Sequence, residues 1–456
     1  MTRHAVIVGA GLAGSLLACL LARRGWRVSV YEKRPDPRQR GYAGGRSINL
    51  ALSIRGIAGL SGAGLADRIL AAEAIRMPGR MIHARDGSTS FQPYSANPSD
   101  AINSVSRGGL NLALIIAAAE HKNVTLHFNA PCIDVDFSTS GAAFEINGRV
   151  DRAQGDLVVG TDGAFSAVRL AMMKRDRFEY SQSYLRHGYK ELHIPQAGPG
   201  TYAIEPHALH IWPRGGAMMI GLPNRDGSFT CTLFWPFAGE HSFAALRDDA
   251  AVTRFFREQY PDAVPLMPTL AQDFRTNPTS SLVTIRCEPW HAGRVCLLGD
   301  AAHAIVPFYG QGMNAAFEDC LSLAAALDDH GEIADALAQY EADRKPNADA
   351  IADMALENFV EMRDLAGRAD FQYRKKIEQT VHKAFGDAAL PQYNLVSFSL
   401  APYVEARRRG REMAELVARI ERAIPARHVL DEAWEHAVAR EAGAEVRRWA
   451  PINKGE

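Results

Sequence analysis

The chain has 456 residues, of which 47% are hydrophobic and 23% charged, and this is enough to bury a large core in about two or three lobes. Its formal net charge is −1 and no long basic run occurs, so a nucleic-acid-binding surface has no support. Six cysteines without a CxxC pair, and the lack of any apolar stretch of about 18 residues, argue against a metal cluster and a membrane span and favour a soluble, cytoplasmic protein.

The N-terminal residues predict a βαβ unit. Residues 5–8 form a short apolar run suited to a buried parallel strand, and residues 28–31 form a second such run. Between the two runs, leucines recur at the spacing of one helix face from Leu16 to Leu21. Strand, helix and strand in this order are typical of a dinucleotide-binding fold.

Three glycines, Gly9, Gly11 and Gly14, stand between the first strand and the helix and match GxGxxG. The absence of side chains lets the backbone approach a pyrophosphate, and the N terminus of the helix offers free N–H groups to the phosphates, with Leu12 among the candidate cofactor-binding residues. Glu32 ends the second strand 18 residues after Gly14, near the position where an acid binds ribose hydroxyls. The unit therefore predicts an adenine-dinucleotide site rather than a glycine-rich packing turn.

Further elements follow in chain order. Helical spacing in residues 110–119 precedes three alternating segments, VTLHF, CIDVDF and GAAFEING, which predict an inserted meander. A strand over residues 157–160, a polar turn over residues 161–163 and a helix from about Ser166 come next. Residues 184–233 alternate mostly with a period of two, and they predict an antiparallel sheet with one solvated face.

The remaining pattern is mainly helical. A helix is expected over residues 244–259, and RVCLLGD then restores a buried parallel strand. From Asn314 to the end the chain reads as helix, with few glycines and an interruption at Pro391. The parallel sheet is therefore expected to be assembled from distant segments, with a β-rich insertion and a helical tail.

Residues 297–320, LLGDAAHAIVPFYGQGMNAAFEDC, carry a second candidate site. Asp300 ends a parallel strand, where its carboxylate can accept hydrogen bonds from ribose or ribityl hydroxyls; the alternative is an Asp that caps the next turn. Gly312, Met313 and Asn314 open a helix whose N terminus would face the same crevice and stabilise negative charge there. A stiff turn with two aromatic rings precedes that helix: Pro307, Phe308 and Tyr309.

Together, GAGLAG, GTDGAFSAVR and LLGDAAHAIVPFYGQGMNAAFEDC resemble the three motifs of the single-component FAD-dependent aromatic hydroxylases, in the same order. Within that family, GRSINLALSIRG, GRMIHA, QPY, EPHALHIWPRG and ALENFVEM are similar to the kynurenine 3-monooxygenases, and the similarity runs from about residue 5 to about residue 405. The resemblance implies an α/β fold with a Rossmann-type FAD-binding domain, an inserted antiparallel β-sheet substrate domain and a C-terminal helical region.

The resemblance also implies a division of the chain. The expected segments are FAD-binding residues 1–75, 104–178 and 286–345, substrate-domain residues 76–103 and 179–285, and C-terminal helical residues 346–456, which would close the substrate pocket.

The activity implied by the resemblance is hydroxylation of L-kynurenine to 3-hydroxykynurenine. In this family NADPH reduces FAD, O2 adds to the flavin as a C4a-hydroperoxide, and the distal oxygen is transferred to the benzene ring. A second GxGxxG motif for NADPH is absent from the sequence, which fits these hydroxylases and leaves the NADPH site unlocated.

Candidate substrate residues also come from the resemblance. Arg80 and Tyr94 would hold the substrate carboxylate, the arginine through a charge-assisted contact. Asn358 and Tyr403 match positions in the pocket, which would make the helical tail one of its walls. The turn at Pro307, Phe308 and Tyr309 would cover the substrate ring next to the flavin and form the boundary between them.

For FAD, the resemblance adds Arg107 near the pyrophosphate or ribityl chain and the backbone around Met313 and Asn314. Asp162 belongs to the Asp-Gly motif, which stands near the phosphates and is linked with nicotinamide binding. The segment from Arg46 to Leu52 is expected to be a strand that lines the flavin and the pocket.

Three alternatives stay open at this point. One is an FAD hydroxylase of another aromatic acid, the second an FAD reductase or oxidase that puts no oxygen into its product, and the third a nucleotide-binding regulatory protein. Eukaryotic relatives carry a hydrophobic C-terminal membrane anchor, whereas this sequence ends in REAGAEVRRWAPINKGE, so a bacterial-type enzyme without an anchor is expected. The oligomeric state is undetermined, with a homodimer as one candidate.

Overall fold

The structure is a computed structural model that describes residues 2–40, 49–95, 97–361, 368–425, 431–449 and 452. Within these ranges the strands are β1 (His4–Val8), β2 (Arg27–Tyr31), β3 (Asn49–Leu52), β4 (Ile75–Met77), β5 (Gly79–His83), β6 (Thr89–Pro93), β7 (Ile102–Ser106), β8 (Val124–His127), β9 (Cys132–Asp136), β10 (Gly141–Ile146), β11 (Arg149–Gln154), β12 (Leu157–Gly160), β13 (Glu179–Ile194), β14 (Leu209–Pro213), β15 (Met218–Pro223), β16 (Phe229–Pro236), β17 (Ser280–Glu288), β18 (His291–Ala292) and β19 (Val295–Leu297).

The helices in the same ranges are α1 (Leu12–Arg23), α2 (Pro37–Arg40), α3 (Ile54–Gly62), α4 (Ala66–Glu73), α5 (Arg107–Glu120), α6 (Ala167–Met172), α7 (Asp249–Gln259), α8 (Leu270–Thr276), α9 (Asp300–His303), α10 (Gly312–Asp329), α11 (Ile333–Val360), α12 (Ala369–Phe385), α13 (Gln392–Phe398), α14 (Tyr403–Ala423) and α15 (Glu432–Val446). None of them combines the length and the apolar character that a bilayer span requires. Of the strand predicted from Arg46 to Leu52, residues 46–48 lie outside the described residues and residues 49–52 form β3.

Six strands form a mostly parallel sheet in the order β18-β19-β12-β1-β2-β8. Ala5 of β1 lies beside Val28 of β2 and Leu157 of β12, and β19 pairs in parallel with β12. The predicted βαβ unit and the assembly of this sheet from distant segments are therefore confirmed. The carboxyl ends of β1, β12 and β19 meet at one edge, where sheets of this kind bind ligands.

One strand prediction was wrong. The segment VTLHF was expected to begin an inserted meander, but β8 pairs in parallel with β2 at the edge of the six-stranded sheet. An edge strand keeps one exposed position, Thr125, and so alternates like a strand of an antiparallel sheet. The other two segments, β9 and β10, do form an antiparallel sheet, together with β11.

The second large sheet has seven strands in the order β17-β13-β16-β15-β14-β5-β6. Its strands β13 to β16 confirm the antiparallel pairing predicted from the alternating pattern. The solvated face was wrong, because buried clusters cover β14, β15 and β16 on both sides. Two strands from an earlier part of the chain complete it, because β5 pairs in parallel with β14 and antiparallel with β6. The segment boundaries expected at 75, 103, 178, 285 and 345 stay predictions.

Two buried clusters hold these layers together. The larger packs α1, α5 and α10 against the six-stranded sheet through side chains such as Leu16, Leu110 and Phe317. The second joins the seven-stranded sheet to α11, α13 and α14, with Phe234 and Leu395 among its members. The helical tail is therefore packed against the sheet that forms half of the site described next.

Candidate active site

A cavity of about 410 Å³ lies where the edge of the six-stranded sheet meets the seven-stranded sheet and the loop before α10. One end is polar, since it is formed by the turn after β1 and by Arg34, Arg107 and Asp300. The other end is lined mainly by apolar side chains of β14, β15 and β16: Leu209, Ile211, Met218, Ile220, Leu222 and Phe234. Such a cavity suits a long polar ligand at one end and an aromatic ring at the other.

The turn after β1 leaves open space for a ligand. A Cβ on Gly14 would lie 2.0 Å from the carbonyl oxygen of Gly9, and one on Gly9 would lie 2.8 Å from the carbonyl oxygen of Thr161. Gly11 differs from both, since a Cβ there would have no neighbour within 4 Å. Both Gly11 and Leu12 line the cavity, and no side chain caps the N terminus of α1. Its backbone N–H groups are therefore available to an anionic ligand.

Glu32 stabilises the turn after β1 through hydrogen bonds to its backbone. Its Oε2 accepts a hydrogen bond of 2.9 Å from the N–H of Ala10, and its Oε1 accepts one of 2.9 Å from the N–H of Arg34. Glu32 itself is not among the lining residues, whereas Arg34, two residues later, is. Arg34 was not predicted at this polar end from the sequence, whereas Arg107 was.

The Asp-Gly motif meets the cavity through its backbone. The carboxylate of Asp162 accepts hydrogen bonds from the Ser166 hydroxyl at 2.5 Å and from the N–H of Ala167 at 2.6 Å, so it stabilises the start of α6. Burial raises the pKa of Asp162 in spite of these bonds. Gly163 and Ala164 line the cavity, but Asp162 does not.

Asp300 faces the cavity as the first residue of α9, after the turn at residues 298–299 that follows β19. Gly299, which has a φ of 62°, turns the chain so that the Asp300 side chain points into the cavity space. Enclosure by the surrounding protein raises the pKa of Asp300, and the nearby charge of Arg107 opposes this shift. A carboxylate and a guanidinium therefore face the same polar end of the cavity.

The loop before α10 closes the cavity from above the sheet edge. Residues 307–309 form a single turn of 3-10 helix, and Gly310 follows with a φ of 67°, a conformation that favours glycine. Gly312 and Met313 then line the cavity at the N terminus of α10, which has no side-chain cap. The positive end of the α10 dipole therefore points at this space.

Asn314 connects this loop to β3 and is not exposed to the cavity. Its side-chain amide donates to the carbonyl oxygens of Ala51 at 2.9 Å and Gly310 at 2.8 Å, and its oxygen accepts from the N–H of Ser53 at 3.0 Å. Asn314 is fully buried. It can therefore act on a ligand only by holding the backbone on both sides of the cavity.

Arg80 on β5 marks the apolar end of the cavity. Its guanidinium carbon lies 5.1 Å from the centroid of the Tyr94 ring and 4.7 Å from that of Tyr393. The two tyrosine rings stack at 5.2 Å with an angle of 19° between their planes. Arg80 and Tyr393 line the cavity, while the buried Tyr94 lies behind them.

Arg80 has no counterion within the described residues, since no Asp or Glu oxygen of that part of the chain lies within 4.0 Å of it. Its positive charge is instead held beside two aromatic faces and directed at the cavity. An enclosed cation without a carboxylate partner is well suited to binding an anionic ligand.

The two tail residues predicted for the pocket lie elsewhere. Tyr403 is fully buried, and its hydroxyl donates to Gln311 Oε1 at 3.0 Å. Asn358 donates from Nδ2 to the carbonyl oxygen of Phe308 at 2.7 Å, so it holds the loop and is not among the lining residues. The aromatic residue that the tail does place in the cavity wall is Tyr393, which the sequence reasoning missed.

The ring of Phe308 forms the boundary of the apolar end. Its centroid lies 5.0 Å from that of Phe234 on the seven-stranded sheet and 4.3 Å from that of Phe359 on α11. Pro307 and Tyr309 flank it in the cavity wall. These contacts fix the loop and keep the space beneath it apolar.

Comparison with known proteins decides between the alternatives. The FAD binding domain family matches residues 2–355. A kynurenine 3-monooxygenase of Myxococcus xanthus is 47% identical over 422 residues, which cover 92% of this chain and 91% of the relative. One of Dictyostelium discoideum is 47% identical over 424 residues, which cover 90% and 91%. The chain belongs to the kynurenine 3-monooxygenase family.

Solved structures agree with the fold of this family. A tetrameric 2-methyl-3-hydroxypyridine-5-carboxylic acid oxygenase superposes with a TM-score of 0.66 at 23% identity, over 82% of this chain and 95% of its own. PqsL of P. aeruginosa in complex with 2-aminobenzoylacetate superposes with a TM-score of 0.65 at 22% identity, over 80% and 97%. The predicted α/β fold, with its inserted sheet and helical tail, is confirmed.

The polar end of the cavity fits FAD, the cofactor of the family. The open turn at Gly11 and the uncapped α1 suit a pyrophosphate, and Arg34 and Arg107 supply positive charge nearby. Asp300 presents a carboxylate that can accept hydrogen bonds from ribityl hydroxyls.

Proposed function

We propose that the chain hydroxylates L-kynurenine to 3-hydroxykynurenine with FAD, NADPH and O2. It is a flavoprotein monooxygenase of the kynurenine 3-monooxygenase family, and FAD is its bound cofactor. The structural observation that carries the substrate assignment is Arg80, a cation that faces the apolar end of the cavity between two tyrosine rings.

When bound, FAD would supply the redox chemistry between NADPH and O2. The chain's part is to hold the cofactor with the N–H groups at Gly11 and Leu12, with the guanidinium groups of Arg34 and Arg107, and with the carboxylate of Asp300. The N terminus of α10 adds a positive dipole end, which favours negative charge at the ring system.

Arg80 and Tyr393 are the proposed binding groups for the substrate carboxylate. A guanidinium binds a carboxylate through two parallel N–H bonds, and the enclosed setting strengthens that contact compared with one in water. Tyr94 contributes from behind, because its ring stacks on Tyr393 and faces the guanidinium of Arg80. The carboxylate would thereby fix one end of the substrate.

The aromatic ring of the substrate would then lie in the apolar end of the cavity, beneath Phe308. Side chains of the seven-stranded sheet and the loop exclude water from that space. Exclusion of water protects a reactive oxygen species from wasteful breakdown and leaves the ring as its acceptor. Asn358 has a supporting role, since it fixes the Phe308 carbonyl and with it the loop.

The experiment that tests this function is NADPH consumption by the FAD-loaded protein with and without L-kynurenine. We expect the substrate to stimulate consumption and to yield a product one oxygen atom heavier. Kynuramine, which lacks the carboxylate but keeps the ring, serves as the matched control and should stimulate consumption far less. An equal response to both compounds would show that Arg80 does not bind the substrate carboxylate. Hydroxylation of a different aromatic acid, but not of L-kynurenine, would show that the other acid is the substrate. Cytoplasmic location and homodimer formation stay predictions from the sequence.

A further inference from the structure

Arg55 on α3 is buried and ties two separate parts of the chain together. Its exposed fraction is 1%, and its guanidinium donates hydrogen bonds to the carbonyl oxygens of Val396 at 2.7 Å, Leu395 at 3.2 Å and Ala401. The first two carbonyls belong to the last turn of α13, where no intrahelical N–H is available to them. Arg55 therefore acts as the C-terminal cap of α13 from outside that helix.

Helix α13 needs such outside support. It has 7 residues, fewer than an isolated helix requires for stability, so its position depends on tertiary contacts. It begins at Gln392, and its second residue is Tyr393, the aromatic side chain beside Arg80 in the cavity wall. We call residues 392–403 the C-terminal wall.

On its other side, Arg55 joins a buried network of charged side chains. It donates to Glu318 Oε1 at 2.6 Å, and Glu318 Oε2 accepts from Arg344 at 3.1 Å. Arg344 also donates to Asp319 Oδ1 at 2.7 Å, and Asp319 Oδ2 accepts from the N–H of Gly299 at 3.2 Å. Two arginines thus pair with two carboxylates, and His303 Nε2 also lies 2.6 Å from Asp319 Oδ2. The set runs from the C-terminal wall to the residue directly before Asp300.

The same arginine connects to the loop before α10 by a second route. Its guanidinium carbon lies 4.0 Å from the centroid of the Tyr403 ring, and the hydroxyl of Tyr403 donates to Gln311 Oε1 at 3.0 Å. Gln311 directly precedes Gly312, which lines the cavity. Asn314 in addition holds Ser53, the residue before α3. Helix α3 is therefore attached both to this loop and to the C-terminal wall.

We propose that Arg55, together with Tyr403, is a positioning element for substrate binding: it holds Tyr393 in place beside Arg80 and keeps the C-terminal wall aligned with the loop before α10. This inference rests on the proposed function, since it assumes that Tyr393 contacts the substrate carboxylate. It also gives Tyr403 a role behind the cavity wall in place of the substrate contact expected from the sequence.

Arg55→Lys is the discriminating variant. Lysine keeps the positive charge, but it lacks the planar fork that reaches three carbonyls and a carboxylate, and it stacks less well on Tyr403. We expect the KM for L-kynurenine to rise about fivefold or more and a larger share of consumed NADPH to appear as hydrogen peroxide, while FAD stays bound. In a Tyr393→Ala background the same change should raise KM by less than about twofold, because the group that Arg55 positions is gone.

Arg214→Lys is the matched control. Arg214 is also buried and also donates to backbone carbonyls, which are those of His83, Ala84, Pro213 and Gln259, but none of these bonds reaches the C-terminal wall. The Arg214→Lys variant should have a lower Tm than the wild type. Its KM for L-kynurenine and its share of NADPH that ends in hydrogen peroxide should be those of the wild type. Should Arg55→Lys not retain FAD, Tyr403→Phe tests the same link, with an expected rise in KM of about threefold.

The outcomes separate the inference from the proposed function. A wild-type protein that does not respond to L-kynurenine would contradict the function itself. A responding wild type with an unchanged KM in Arg55→Lys would overturn the inference alone, as would an equal rise in KM with and without Tyr393. If Tyr403→Phe is the variant used, an unchanged KM for L-kynurenine in that variant would likewise overturn the inference.

Discussion

Replacing Arg80 with methionine tests the substrate site most sharply. The change removes the positive charge and keeps a long, flexible apolar side chain in the same space. In the wild type, the guanidinium lies 4.7 Å from the Tyr393 ring and 5.1 Å from the Tyr94 ring, and no carboxylate of the described residues pairs with it. A substrate carboxylate would supply the missing partner, so the variant leaves that carboxylate enclosed and unpaired.

The size of the effect follows from this geometry. Truncation of one partner of a buried charge pair costs about 2 to 5 kcal/mol. Arg80 is half-buried and borders the cavity, so we expect the lower part of this range. At about 1.4 kcal/mol for each factor of ten, about 2 to 3.5 kcal/mol raises the KM for L-kynurenine about 30-fold to about 300-fold.

Stability should respond in a different way. The variant loses two contacts between a cation and aromatic rings, each worth about 0.5 to 1 kcal/mol, but it also removes the cost of enclosing an unpaired charge. Because these effects oppose each other, we expect Tm in the absence of substrate to change by less than about 4 °C. A large rise in KM with little change in Tm is the signature of a binding residue rather than a structural one.

Steady-state NADPH consumption at varied L-kynurenine concentration gives KM, and a thermal melt of the FAD-loaded protein gives Tm. Arg76→Met is the matched control, because Arg76 is exposed on the neighbouring strand β4 and lies outside the cavity lining. Its KM should stay within about twofold of the wild type. If Arg80→Met also stays within that range, Arg80 does not bind the substrate.

Three further outcomes are expected. Gly14→Ala should yield protein without the visible absorbance of bound flavin, because its Cβ would lie 2.0 Å from the Gly9 carbonyl oxygen; full FAD content would contradict this packing. Asp300→Asn should raise the Tm of the FAD-free protein at neutral pH. The raised pKa of Asp300 means that the folded state holds the proton of this carboxyl more tightly than the unfolded state does. The stability of the wild type therefore falls as pH rises from about 3.9 through the folded pKa. In melts below about pH 4, the difference in Tm between the wild type and Asp300→Asn should vanish. Asn358→Ala should increase hydrogen peroxide release per NADPH, because the Phe308 carbonyl loses its 2.7 Å hydrogen bond; a peroxidase-coupled assay that finds no increase would show that Asn358 does not hold the loop.

Local patterns account for what the sequence predicted well. β1, α1 and β2 follow from apolar runs and helical spacing within about thirty residues, and the glycine turn between them needs no distant partner. The loop before α10 was predicted for the same reason, since Gly310 and the N terminus of α10 are set by neighbouring residues.

Contacts between distant segments explain why the places of Tyr393 and Tyr403 were not predicted from the sequence. Tyr393 and Tyr403 both lie in the helical tail, and only packing of α13 against β5 and of α14 against α3 separates a cavity residue from a buried one. Asp162 is a local case, because the N–H of Ala167 at the start of α6 donates to its carboxylate, and its expected place near the phosphates stays a prediction. β8 looked like a meander strand because an edge position exposes one of its faces.

The central claim is that the cavity directs one atom of O2 into the ring of L-kynurenine. The most direct test is a reaction of the FAD-loaded protein with NADPH and L-kynurenine under oxygen-18 gas, with the product examined by mass spectrometry. We expect one oxygen-18 atom in the product for each molecule hydroxylated. A product whose added oxygen comes from water, or NADPH consumption that ends entirely in hydrogen peroxide, would contradict it.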